Sequence, residues 1–145
     1  MIAAVSTPRN RTLSSVFLVL SCVLAAVAIL VGIDDNPPGI FLAFGAAAAL
    51  ILAFIHPWRT TKQFVRFLIA AIVAFVLLAV LHNVFYGLAD MAENQKALQI
   101  VLQVLSVATF LIAVLICPPA IAIGVVGSIA LIILRHRQSP LSEDG

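Results

Sequence analysis

The sequence predicts an all-α integral membrane bundle of four transmembrane helices, the last one long and kinked at proline. Three observations carry that prediction: an apolar composition, four long apolar stretches, and basic residues gathered at alternate ends of those stretches. The chain is 63% hydrophobic and 10% charged, against about 45–50% and about 25% in soluble domains. Too few polar side chains remain to cover a water-facing surface, so lipid is the expected solvent for much of it. At 145 residues one domain is expected. It is a transmembrane region over 13–135, between short polar tails at 1–12 and 136–145 that are expected to be cytoplasmic and disordered.

The stretches cover about 13–33, 39–56, 64–88 and 98–134. Roughly 20 apolar residues cross a hydrocarbon core of about 30 Å, and each of the first three suffices for one crossing. Backbone groups in lipid must bond internally, so each is read as a helix. Asp34-Asp35-Asn36-Pro37-Pro38-Gly39 is a turn. Asn36 is placed to cap the second helix, and proline is tolerated in a first helical turn because its missing N–H had no partner there. His56-Pro57-Trp58-Arg59 ends that helix, with the tryptophan and arginine as interfacial anchors. Thr60, with Gln63 three residues on, fits a capping box opening the third helix. The short link predicts that the second and third helices pack as an antiparallel hairpin.

The fourth stretch is too long for one straight crossing, over about 50 Å at 1.5 Å per residue. Pro118-Pro119 interrupts it, and Gln95, Gln99 and Gln103 make one face of its start polar. Either it is one long, Pro-kinked helix, or it is two short helices turning at Cys117-Pro118-Pro119, for five in all. Charge favours the first. With four crossings and the N-terminus inside, Arg9, Arg11, Arg59, Lys62, Arg66, Arg135 and Arg137 are cytoplasmic, seven of the eight basic residues. Only Lys96 then lies outside, with Asp34, Asp35, Asp90 and Glu93. Five crossings would reduce the 7:1 ratio to 5:3 and weaken agreement with the positive-inside rule. The expected location is the cytoplasmic (inner) membrane, multi-pass, with both ends in the cytoplasm. Ala26-Val27-Ala28 looks like a signal-peptide cleavage site, but the apolar run continues through Ile33, which favours an anchor.

A net charge of +2 without a basic, aromatic-laced stripe points away from nucleic acid. Cys22 and Cys117 lie in separate apolar stretches and are expected to be buried hydrophobes. No metal or cofactor is called for, and the outer carboxylates match no EF-hand spacing. No acidic residue lies mid-span, where proton-coupled pumps and exporters normally carry one. Ser14, Ser15, Ser21, Ser106 and Thr109 are expected to bond the backbone of their own preceding turn.

Two features remain as candidates. Gly45, Ala49 and Ala53 recur every four residues on the second helix, and Ala120, Gly124 and Ser128 do so on the fourth. Small residues let helices approach closely in lipid, so these are the expected helix-packing stripes. His82, Asn83 and Tyr86 near the outer end of the third helix are the candidate ligand-binding residues, because polar groups at membrane depth usually face the bundle interior.

Several strings resemble a family of small, uncharacterised bacterial multi-pass membrane proteins. They are Asp35-Asn36-Pro37-Pro38-Gly39-Ile40, His56-Pro57-Trp58-Arg59, His82-Asn83-Val84-Phe85-Tyr86-Gly87, Ile116-Cys117-Pro118-Pro119 and Gly124-Val125-Val126-Gly127-Ser128. The resemblance implies a bacterial inner membrane and no activity. The sequence reading is therefore a non-enzymatic accessory or interaction subunit that contacts the lipid bilayer and docks onto itself or a larger membrane-protein partner. The alternative is a small transporter, or a ligand- or cofactor-binding protein with a site near His82 and Pro118.

Overall fold

The computed structural model describes residues 8–33 and 36–138, with side chains to 136. Asp34, Asp35, the first seven residues and the segment after 138 lie outside the described residues, as do the expectations that fall on them. The described chain is all helical. Helix α1 covers Pro8–Val31, α2 Pro37–Ile55, α3 Thr61–Met91, α4 Lys96–Leu111 and α5 Cys117–Gln138. A five-residue π turn, Ile112–Ile116, joins α4 to α5, so the last two form one continuous helical rod. Among the described residues four helices are thus long and apolar enough to span a membrane, the last being 41 residues over Lys96–His136.

That rod is the long, interrupted helix expected at Pro118-Pro119, and the π turn shows how the prolines fit. A proline inside an α-helix lacks a donor and its ring strikes the carbonyl four residues back. Here the Cys117 N–H donates to the Ile112 carbonyl, five residues back, which widens the turn just ahead of the prolines. Pro118 and Pro119 then occupy the opening turn of α5, the position where proline is tolerated.

The interior is built from small residues. Ala28, Ala46, Ala47, Ala49, Ala53, Ala71, Ala89, Ala113 and Ala120 are buried, with Ile55 and Cys117, and among the described residues no large side chain is fully enclosed. Leu30 is 85% exposed, Phe41 73% and Ile29 72%. In water this arrangement would leave most of the apolar surface unburied. In lipid it is the expected solution, because bulky side chains dissolve in acyl chains while small ones let backbones approach. The chain is a multi-pass membrane protein by this criterion.

The helices form two hairpins. In the first, α1 packs on α2; in the second, α3 packs on both α4 and α5. The hairpins meet where α2 touches the π turn and α5. The expected pairing of α2 with α3 is therefore replaced: α5 packs against both of them. A short loop fixes sequence neighbours, and here the small-residue faces decide which surfaces meet.

Each turn has a local cause. Gly32 adopts φ +89° at the end of α1, a left-handed conformation that favours glycine. A Cβ on Gly39 would collide with the Gly32 carbonyl, so the first hairpin closes glycine on glycine. Asn36 occupies the N-cap position of α2, yet its Nδ2 donates 2.8 Å to the Val31 carbonyl of α1. The capping box of α3 forms: Gln63 Oε1 accepts the Thr60 N–H at 3.3 Å and the Thr60 hydroxyl at 2.8 Å. Trp58 stacks edge-on against Phe64 and Phe67, tying the α2–α3 link to α3.

Candidate functional site

His82 lies on α3, roughly two and a half turns before its end at Met91. The neighbouring element is α4, and Ser106 is the residue it meets. His82 Nδ1 is 3.0 Å from the Ser106 carbonyl and 2.9 Å from Ser106 Oγ, and Ser106 Oγ is 3.3 Å from the His82 carbonyl. Two arrangements satisfy these groups. With Nδ1 protonated, it donates to the Ser106 carbonyl while the hydroxyl donates to the His82 carbonyl. With Nδ1 bare, it accepts the hydroxyl. Either way a histidine and a serine cross-link two helices with no buried polar group left over.

Aromatic rings frame the pair. The His82 ring lies 5.1 Å from Phe110 and 6.4 Å from Tyr86. One turn along α4, the Thr109 hydroxyl is directed at the carbonyls of Leu105 and Ser106, each 2.9 Å away. Asn83 does not join this group. It is exposed and its Nδ2 donates 2.8 Å to Ala79 of its own helix, beside an open groove along α3. Tyr86 is 60% exposed. Pro118 lies roughly 18 Å farther along the rod than Ser106, twelve residues at 1.5 Å each, so the site near both His82 and Pro118 does not assemble.

The chemistry open to this junction follows from its burial. Ser106 is 3% exposed and pressed between helices, so it cannot present a nucleophile to a substrate despite its histidine neighbour. The imidazole is different: Nδ1 is engaged, while Nε2 makes no hydrogen bond and is not enclosed. Nε2 is left to accept a hydrogen bond in the first arrangement and to donate one in the second. Among the described residues no three metal-ligating side chains gather.

The predicted packing stripes fall on separate interfaces. Ala49 and Ala53 of α2 are buried and Gly45 is half-buried against α1, where a Cβ on Gly45 would stand 3.4 Å from Leu24 Cδ1. On α5, Ala120, Gly124 and Ser128 are buried. A Cβ on Gly124 would stand 2.9 Å from Leu68 Cβ and 3.1 Å from Leu68 Cα, and one on Gly127 would run into the Phe64 ring, so these glycines seat α3.

The hydroxyls follow the expectation in part. Thr109 and Ser128 bond their own helices, Ser128 at 2.7 Å to Gly124. Ser14 and Ser21 instead cross to α2, each donating 2.8 Å, to the carbonyls of Ala53 and Ala46. The α1 serines are seven residues apart and so are the α2 acceptors, which is the register of an antiparallel pair. Their heptad spacing is visible in the sequence; the choice between own backbone and neighbour depends on how closely α2 approaches. Cys22, expected inside, is exposed on the outer face of α1, whereas Cys117 is buried beside the π turn. His56, at the end of α2, holds a further feature. Its Nδ1 contacts the Leu52 carbonyl at 3.2 Å, its ring lies 6.0 Å from Phe17, and its Nε2 is buried without a partner.

No family model, curated protein or solved structure matches the chain. What the chain shows by itself is a four-helix, multi-pass membrane protein.

Proposed function

We propose that the chain is a non-enzymatic accessory or interaction subunit of a bacterial inner membrane, with both ends in the cytoplasm. The observation that carries this reading is the isolation of α1. It packs mainly on α2, which carries most of the contact between the first hairpin and the rest through the π turn and α5. The opposite face of α1 is left open, with a shallow groove of about 450 Å³ lined by Thr12, Ser15, Val16, Val19, Leu20 and Val23. At the junction of the hairpins an apolar crevice of about 270 Å³ is lined by Ala25, Ala43 and Ala47 beside Leu115 and Ile116. Small-residue surfaces of this kind accept a neighbouring helix closely. The basic ends of the helices share one edge of the bundle, which supports the orientation.

The test is photo-crosslinking in native membranes. A crosslinker at Val19 or Ala25 should give one discrete product, containing either a second copy or a larger membrane protein; one at Val76 on α3 should give none. A chain that stays uncrosslinked at all three positions and runs as a monomer in nanodiscs overturns the reading.

A second reading, a small transporter or ligand-binding protein, draws on the unengaged Nε2 of His82. Under it, His82→Ala abolishes binding or transport while the protein still assembles. Under the subunit reading the same change leaves the crosslinked product in place.

A further inference from the structure

The basic edge of the bundle holds a cleft that neither reading uses. It is open, about 670 Å³, and lies between the start of α3 and the end of α5. Arg59, Lys62 and Arg135 line it, with Thr60 and Thr61. Leu131 and Leu134 complete the wall on the α5 side. A second cleft of about 380 Å³ adjoins it across Thr61 and Arg135, reaching Ile132 and His136. No carboxylate lines either one among the described residues.

Three independent features converge there. Guanidinium and ammonium groups match phosphate oxygens, arginine by paired N–H donors. Thr60, Thr61 and Lys62, which line the cleft, stand at the N-terminus of α3, and a helix N-terminus favours an anion. The Thr60 hydroxyl is held by Gln63, so Thr61 is the hydroxyl free to donate. The third feature separates a lipid from a free ion: Leu131 and Leu134 give the same cleft an apolar wall. The cleft also sits where the apolar runs of α3 and α5 end, which is the depth of the headgroups.

We propose that this cleft is a binding site for an anionic glycerophospholipid. Its phosphate sits among Arg59, Lys62, Arg135 and the Thr61 hydroxyl, and its glycerol and first methylenes lie on Leu131 and Leu134. The inference rests on the membrane reading and not on which side of the bilayer this edge faces.

Native mass spectrometry of the full chain, titrated with phosphatidylglycerol and with phosphatidylcholine, tests it. Phosphatidylglycerol should be retained in preference. The affinity should drop roughly fivefold for each cation removed, on the order of a hundredfold for the Arg59→Gln, Lys62→Gln, Arg135→Gln triple variant. Leu131→Ser with Leu134→Ser should weaken lipid retention with all three cations intact. The control is Arg9→Gln with Arg11→Gln, two exposed cations at the same edge outside the cleft. It should change retention little. An equal loss per charge in that control, equal retention of the two lipids, or full displacement of phosphatidylglycerol by millimolar inorganic phosphate would each overturn the proposal. The last outcome would make the cleft a site for free phosphate.

Discussion

The two hairpins solve the same problem with different chemistry. In α1–α2, alanines set the spacing and two serines, Ser14 and Ser21, bond across to α2 carbonyls in one register. In the α3 hairpin, the basic end is held by shape, Gly124 and Gly127 against Leu68 and Phe64. The far end is held by polarity, His82 against Ser106. The first hairpin spreads its specificity along the interface. The second concentrates it at two ends, with the π turn between them. Neither can draw on the hydrophobic effect between its helices, since lipid tails are as apolar as leucine.

That difference predicts unequal tolerance. Gly124→Val should be the most damaging change, because the new atoms meet Leu68 backbone as well as side chain. Overpacking of this kind costs about 1–3 kcal/mol. Gly45→Val should cost less, as its nearest neighbour is the flexible end of Leu24. Reversible unfolding in bicelles compares them, and equal losses would dissolve the contrast between shape-held and serine-held pairs.

Next in size are the polar staples. A double-mutant cycle of His82→Ala and Ser106→Ala should return a coupling of about 0.6–1.7 kcal/mol, the range for interhelical hydrogen bonds in membranes. Ser21→Ala should cost no more than about 0.6 kcal/mol, because Ser14 keeps the register of α1 on α2. A zero coupling at His82 would leave the far end of the second hairpin without its polar staple. The smallest effect belongs to Asn83→Ala, within about 0.5 kcal/mol of wild type. Its side chain bonds its own helix at the surface, and a larger loss by the same assay would place it in an interface instead.

Much of this was legible in the sequence, for reasons that particular residues show. The helices are written in uninterrupted apolar length, and the α3 cap in Thr60 and Gln63. The break at Pro118 was visible too. The π turn was not, because Ile112 to Ile116 is an ordinary helical string, and only the collision of a proline ring with the preceding carbonyl demands a wider turn. At the candidate site, His82 stood out as a polar group at depth, but its partner did not. Ser106 resembles other hydroxyl residues in apolar runs, and its choice between its own backbone and a neighbour is settled by the distance to α3. The pairing of α5 with both α2 and α3 was also beyond the sequence, since loop length speaks only to consecutive helices.

The widened turn at Ile112–Ile116 also acts as a phase shifter. One residue more or fewer in a helix rotates everything after it by about 100°. Deleting Val114 would let the turn close to an ordinary α-turn and leave the glycines of α5 and Ser106 on the faces they now present, whereas a deletion in the regular helix on either side would swing one end against the other. The two ends of the rod are thus geared together through a single irregular turn. A deletion elsewhere in the rod is felt at its opposite end, with every contacting side chain unchanged; one in the widened turn is absorbed there.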